Sequence, residues 1–377
     1  MRVLGIALLA GVLLLVPAYC CRSGPAWAET ASPQRESRPL ELMRQAERLC
    51  REHALYPPDA STPLTLDARA YLQALPDGYS TYLSRDELDR LAEFDQPDYA
   101  GVGMEVVRAA GRGNFCVPYD NGPARLAGLL PGDRLLTVDG RNVADAAPES
   151  LPVLVRGKAG TAVTLTVAGP DGRERNLTVT RAAVSRPVVE SRLEGGVLKI
   201  RIYRFTHEVP ELVNESLAQN PDAAKVVIDL RSNIGGEFWA AVGAAALFLP
   251  EEATVASIIG RDGAERLVEA GFSPKHFGRR VVIWQDHLSA SASEIFIAAL
   301  THNGAAVSIG RRTFGKGLMQ EQFPALDGGL FIITTSELRP PDGLPFHGQG
   351  LAPYYSLRSN TSSDADYEAR TKDVFSR

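Results

Sequence analysis

Three polar side chains in one stretch of the chain are of the types that acyl-transfer chemistry uses: Ser291, Lys316 and Gln320. Ser291 lies in Leu288-Ser-Ala-Ser-Ala-Ser-Glu-Ile295, after the strand-like run Arg279-Arg-Val-Val-Ile-Trp284. Ile295, Phe296, Ala299 and Leu300 then follow at helical spacing. The serine therefore stands where a strand hands over to a helix. Ser291-Ala-Ser-Glu294 also fits a capping box, in which a serine and a glutamate three residues on satisfy orphan helix N–H groups. The structural and the chemical reading share one location. A helix N-terminus concentrates unpaired N–H groups and positive potential, which suit the oxyanion formed when a serine attacks a carbonyl.

A serine nucleophile needs a base. The six histidines, His53, His207, His276, His287, His302 and His347, are scattered, and none lies in a Gly-x-Ser-x-Gly elbow. A lysine serves instead when burial disfavours its ammonium form, and Ser-Lys pairs are a known variant of the triad. Lys316 is flanked by Gly315 and Gly317, which let the backbone pass close to another element; the ordinary alternative is an exposed loop lysine. If a strand starts at Lys316, Gln320 shares its face and the amide can orient the amine. Gly310-Arg-Arg-Thr-Phe-Gly-Lys316 also has P-loop spacing. Gly317 stands where that motif needs Ser or Thr for magnesium, and the next segment reads as extended, so nucleotide binding is set aside.

The elements that must position these groups follow from the pattern. From Gly196 strands and helices alternate: strands over 197–203, 225–230, 279–284 and 305–309, helices over 209–219, 238–249 and 291–301. This implies βαβ units and a largely parallel, helix-covered sheet. Asp229-Leu-Arg-Ser-Asn-Ile-Gly-Gly236 places Gly235 and Gly236 between a buried strand and a helix, where their N–H groups either complete an anion site or make a tight loop.

Upstream, residues 99–186 read as short alternating strands with glycine turns. Asn121 to Asp133 gives a short helix and a Pro-Gly-Asp turn into a strand over 134–138, then the hairpin signal Asp139-Gly140. Thr161 to Ala168 alternates cleanly, and Pro170-Asp-Gly172 turns it. Together with the strand 102–107 after Tyr99-Ala-Gly-Val-Gly103, this region resembles a PDZ domain. Such domains hold an extended C-terminal peptide by strand addition and grip its carboxylate with backbone N–H groups, here at Gly101, Val102, Gly103 and Met104; the ordinary alternative is that Gly101 and Gly103 only make a tight turn. Before it, helical spacing over 40–53, 66–75 and 85–94 marks a small cap or assembly region.

Composition bounds the rest. A chain of 377 residues, 45% hydrophobic and 23% charged, has room for two or three domains, and its net charge of -5 offers nucleic acid no electrostatic attraction. Met1-Arg2, the apolar run 3–16 and Ala26-Trp-Ala28 read as a secretory leader with cleavage near Glu29. The expected location is the periplasm, or the outer face of the cytoplasmic membrane if the leader is retained. Cys20 and Cys21 raise lipidation, but Tyr19 and Cys20 are not the small residues expected before a lipidated cysteine. After cleavage Cys50 and Cys116 remain of four cysteines; export permits a disulfide, and the sequence leaves their pairing open. No Cys/His cluster suggests a metal, and no cofactor is expected.

In order, Pro76-Asp-Gly-Tyr-Ser-Thr-Tyr-Leu83, the PDZ run through Pro131-Gly-Asp133, Arg156-Gly-Lys-Ala-Gly-Thr161, Asp229 to Gly236, Ser289 to Ile295 and Thr313-Phe-Gly-Lys-Gly317 with Gln320 resemble the carboxyl-terminal processing, or tail-specific, proteases. The resemblance implies an α+β and α/β multidomain chain: leader 1–28, N-terminal helices 29–97, an inserted PDZ domain 98–186, a crotonase-like protease core 187–357 and a polar tail 358–377. It also implies Ser291 as nucleophile, Lys316 as general base, Gln320 as the residue that positions it, and oxyanion donors on Ala292 and on Gly235 or Gly236. The expected partners are protein or peptide substrates with free apolar C-termini, an adaptor or activator protein, and a second copy through the N-terminal helices. Ile234 stands where the family often has proline, and Tyr354 where it has Asp. The alternative function is a catalytically silent PDZ adaptor that binds C-termini.

Overall fold

The computed structural model describes residues 34–60, 62, 65–93, 99–185, 187–273, 275–357 and 363–377. The leader read at 1–28 lies outside them. Among the described residues no helix is long and apolar enough to cross a membrane.

The framework of the site is a six-stranded sheet in the order Val189–Glu194, Val197–Ile202, Lys225–Asp229, Arg280–Gln285, Ala306–Gly310 and Tyr355–Ser356. Its first pair is antiparallel and the others parallel. Its central strands Lys225–Asp229 and Arg280–Gln285 are buried on both faces and read as near-continuous apolar runs, whereas Val197–Ile202 alternates and the edge strand Val189–Glu194 is exposed. Val226 and Ile228 point to one core, shared with helices Val209–Ala218, Phe238–Ala246 and Ala292–His302. Val227 and Val282 point to the other, closed by helix Asp364–Ser376 through Tyr367, Val374 and Phe375. The 358–377 end is thus a docked helix over most of its length. Ser363 caps it, its N–H donating to Asp366 Oδ2 at 2.7 Å. Trp284 Nε1 donates to Thr371 Oγ1 at 2.8 Å, and Tyr367 donates to the Gln285 carbonyl at 2.8 Å.

A second sheet, antiparallel throughout, orders Thr81–Leu83, Leu330–Arg339, Thr254–Gly260 and Glu265–Glu269, with Leu318–Pro324 pairing the long strand. Local patterning had marked only the 318–323 stretch as extended, because the partners lie far apart in sequence. The N-terminal helices are less separate than their spacing suggests. Met43, Ala46, Cys50, Tyr71 and Leu72 pack against Phe331 and Ile333 of this sheet.

A third, six-stranded sheet comprises Met104–Ala109, Gly113–Pro118, Arg134–Val138, Arg141–Asn142, Ala162–Ala168 and Glu174–Thr180, with its own core of Cys116, Leu129, Leu135, Leu151, Leu165 and Val179. Cys50 and Cys116 are buried free thiols in different cores.

Candidate active site

Strand Arg280–Gln285 ends in a loop whose polar groups are nearly all committed. Asp286 Oδ1 accepts the N–H groups of Ser232, Leu288 and Ser289 at 2.9–3.0 Å. Ser289 donates to the Leu230 carbonyl at 2.8 Å, and the Asn233 carbonyl accepts both Ala290 N–H and Ser293 Oγ at 2.9–3.0 Å. These bonds lash the 230–236 loop to the serine loop. They hold Ser291 at φ 58° and ψ -119°, a conformation that costs a non-glycine residue about 1–3 kcal/mol.

Ser291 and Glu294 occupy capping-box positions, but only the glutamate half makes the side-chain bond. Ser291 N–H donates to Glu294 Oε2 at 2.9 Å, while Glu294 N–H goes to the Ser291 carbonyl at 2.8 Å. The serine hydroxyl makes no cap bond. It is half-buried at the start of helix Ala292–His302, beside the N–H of Ala292.

Lys316 reaches the same place from the other side. After strand Ala306–Gly310 the chain runs over the serine loop, with Phe314 N–H on the Ser289 carbonyl at 3.0 Å. Gly315 N–H and Lys316 N–H then donate to Glu294 Oε1 and Oε2 at 2.7 and 2.8 Å. Thr313 Oγ1 donates to the same carboxylate. One fully buried carboxylate thus takes four donors, two from the lysine loop backbone, one from Ser291 and one hydroxyl. Sequence reasoning assigned Glu294 to capping alone; the box was the visible signal, and its link to the lysine loop was not.

Burial is the first cause that depresses the Lys316 pKa, reinforced by Arg204 and opposed by Glu149 and Glu294. The amine lies 5.3 Å from the Tyr79 ring centroid, and the Tyr79 ring meets His347 edge-on at 6.1 Å. His347 Nδ1 accepts Gly317 N–H at 3.3 Å. Among the described residues no hydrogen bond joins Ser291 to the Lys316 amine.

Gln320 departs from expectation. The strand begins at Leu318, past Lys316, and its register slips between Met319 and Gln320. The two-residue period that would set Gln320 beside Lys316 therefore does not apply. The Gln320 amide donates to Thr334 Oγ1 at 3.3 Å.

Of the two glycines, Gly235 N–H is taken by Asn233 Oδ1 at 2.9 Å, which leaves Gly236 as the freer second donor. Gly235 contributes by absence of a side chain. At φ 103° an added Cβ would stand 2.7 Å from the Ala290 carbonyl oxygen and 2.8 Å from Ser291 Cβ. Gly235→Ala is accordingly expected to destabilise the fold by about 1–3 kcal/mol and to cut turnover more than about tenfold, read by thermal melting and peptide-cleavage kinetics.

The small β domain sits on this site. Val107, Ala109, Val117 and Phe115 pack with Leu288, Ala290, Phe314 and Ile234. Phe115 meets Phe314 edge-on at 5.9 Å, and Glu105 accepts from Arg204 at 3.2 Å. In its Gly101–Met104 loop, the carbonyls of Gly101, Val102 and Gly103 accept the N–H groups of Ala182, Ala124 and Tyr119 at 2.7–3.1 Å. Gly101 N–H is itself paired with the Ala182 carbonyl at 3.1 Å. Gly103, at φ 69°, abuts Gly122 and Pro123.

Comparison with known proteins agrees with this architecture. Residues 196–357 match the family model described as peptidase family S41, and residues 115–169 match a PDZ domain. A probable CtpA-like serine protease of Staphylococcus haemolyticus is 30% identical over 76% of this chain, and one of Staphylococcus aureus is 31% identical over 75%. The chain spans only 58% and 57% of the length of those relatives. Among solved structures, a photosystem II D1 C-terminal processing protease superposes with a TM-score of 0.75 at 22% identity, covering 89% of this chain and 97% of its own. A putative S41 protease from Bacteroides fragilis superposes at 0.55 and 14% identity, covering 94% and 99%.

Proposed function

We propose, from the match of residues 196–357 to the S41 peptidase family model and of residues 115–169 to a PDZ domain, that the chain is an exported serine endopeptidase acting through Ser291 and Lys316. The observation that carries this reading is the Glu294 carboxylate, which binds the backbone of both residues and so brings a strained serine and a desolvated lysine to one place. In the reaction the neutral Lys316 amine takes the proton from Ser291 Oγ as the oxygen attacks the peptide carbonyl. Ala292 N–H and Gly236 N–H stabilise the oxyanion. The lysine returns its proton to the leaving amine, and the acyl-enzyme is hydrolysed by water that the same amine deprotonates.

The PDZ domain selects the substrate by its C-terminus. With the loop carbonyls turned into the domain, the N–H groups of Val102, Gly103 and Met104 are the donors for a free carboxylate. Its seat on Ala290 and Phe314 supports a coupling between the domain and the serine and lysine loops. A C-terminus that binds the PDZ domain more tightly when it is undocked shifts the population toward the open site. Export rests on the leader read at 1–28.

The test uses an unfolded protein with an apolar C-terminus, free or amidated. Cleavage of the free form, at least about tenfold slower cleavage of the amidated form, and none by Ser291→Ala is the expected pattern. Equal cleavage by Ser291→Ala would overturn the mechanism, and indifference to amidation the PDZ role. Binding without cleavage by any form would favour the silent adaptor.

A further inference from the structure

The turn Pro76–Ser80, far from the serine and lysine in sequence, contains the buried carboxylate of Asp77. Asp77 Oδ1 accepts Tyr79 N–H at 2.7 Å, Ser80 N–H at 2.6 Å and Thr334 Oγ1 at 2.9 Å. Asp77 Oδ2 accepts Ser80 Oγ at 2.9 Å, and Ser80 Oγ accepts Thr334 N–H at 3.0 Å. Asp77, Ser80 and Thr334 are all at most 4% exposed. Two branches leave this cluster toward the site. One is Tyr79, whose ring lies 5.3 Å from the Lys316 amine. The other is Thr334 Oγ1, which accepts the Gln320 amide at 3.3 Å.

We propose that Asp77 is a positioning residue for the lysine end of the site: one buried carboxylate fixes the Tyr79 ring beside Lys316 and, through Thr334, the amide of Gln320. This rests on the Ser291/Lys316 reading and adds to it a residue from the N-terminal region. A short turn that must hold a ring against a buried amine needs its backbone over-determined, and three bonds to one oxygen do that. Without them the turn relaxes and water reaches the amine. Lys316 is faced by Glu149 and Arg204, by Glu294 below it, and by His347 and Tyr79. Since burial is the first cause of its depressed pKa, hydration returns it toward the ordinary lysine range. Loss of the weaker attraction of the Tyr79 face for the ammonium acts in the opposite sense and is the smaller effect.

The expected result for Asp77→Ala is an alkaline shift of about one pH unit in the rising limb of kcat, a loss of about tenfold at neutral pH, with KM within about twofold of wild type. Asp77→Asn keeps an acceptor for the turn and is expected to restore most of the activity. Thr334→Val frees Gln320 and removes one of the three bonds to Asp77 Oδ1 but keeps the two from the turn N–H groups, so it is expected to lower kcat with a smaller pH shift than Asp77→Ala. The titration of Lys316 is also read directly from lysine-selective 13C labels in the full chain, with Lys316→Met identifying the signal. This measurement does not depend on turnover. An unshifted Lys316 titration in folded Asp77→Ala overturns the inference even if Ser291→Ala is inactive. A shifted titration in a protein that cleaves nothing sustains it while the protease reading fails. If Asp77→Ala does not fold, the same titration in Tyr79→Leu decides, with an unshifted signal again overturning it.

Discussion

Lys316→Ala is expected to lower kcat/KM by a factor on the order of 10³ or more while leaving the fold intact. Among the described residues, two other titratable groups near the lysine are already committed. His347 is bonded to Gly317 N–H, and Glu294 has its oxygens filled by four donors. Lys316→Met separates chemistry from stability. The folded-state pKa of Lys316 is depressed below its ordinary 10.5, so the unfolded chain holds this proton more tightly than the folded one. Stability should therefore fall as pH drops from the ordinary lysine range toward the folded pKa. Lys316→Met removes that penalty. Its melting temperature should exceed the wild type most at neutral and acidic pH, with the gain vanishing as pH rises through the lysine range. An inactive variant that is more stable than the wild type marks a group kept for its chemistry. Unchanged activity would remove Lys316 from the mechanism.

The second large effect is expected at Glu294→Gln. The carboxylate accepts from Ser291 N–H, Thr313 Oγ1, Gly315 N–H and Lys316 N–H, and only an ionised carboxylate offers enough lone pairs without a competing donor. The glutamine NH₂ would face two N–H donors if it took the place of Oε2, or a hydroxyl and an N–H if it took Oε1. Either choice pushes the serine loop or the lysine loop away. A displacement on the order of 1 Å costs about 10²-fold in rate, and the unsatisfied donors about 1–3 kcal/mol in stability.

The wild type should show the same conflict as a function of pH. Burial pushes the Glu294 carboxyl up from 4.5 to about 7 despite the four bonds that lower it. Protonation below that range puts an O–H against a donor, so activity should fall with pH through about 7. Stability moves the other way. Because the folded pKa is raised, the contribution of this group is full below the unfolded value of 4.5 and is lost as pH rises through about 7. Glu294→Gln should flatten that part of the stability profile, which parallel thermal melts and initial rates from pH 5 to 9 would reveal. A variant with wild-type rates would show that the carboxylate does not position the pair.

The local sequence determined much of this molecule. Strand Arg134–Val138 has the bounds its pattern implies, and the alternation from Val197 to Gly310 is the parallel sheet and its helices, except for strands Thr254–Gly260 and Glu265–Glu269, which join the antiparallel sheet and were not read. Ser291 sits at the strand-to-helix handover because an apolar strand, a capping box and a helical stripe adjoin there. Helix Asp364–Ser376 is the counter-example, read from sequence only as a polar tail: Tyr367, Thr371, Val374 and Phe375 recur on one face, but the polar majority of the segment masks that stripe.

What only the tertiary structure decided depends on closure between distant segments. Ser80 and Thr334 are 254 residues apart, and no local preference announces that their strands pair or that Asp77 lies between them. Gln320 turns to Thr334 because the register slips one residue earlier, an irregularity set by the partner strand. The capping glutamate serves the lysine loop as well, since Phe314 seats that loop on Ser289 and brings its N–H groups to Glu294. The seat of the PDZ domain on Ala290 and Phe314 is likewise a match of two apolar surfaces. Spacing fixes which groups an element presents, and packing alone fixes which of them meet.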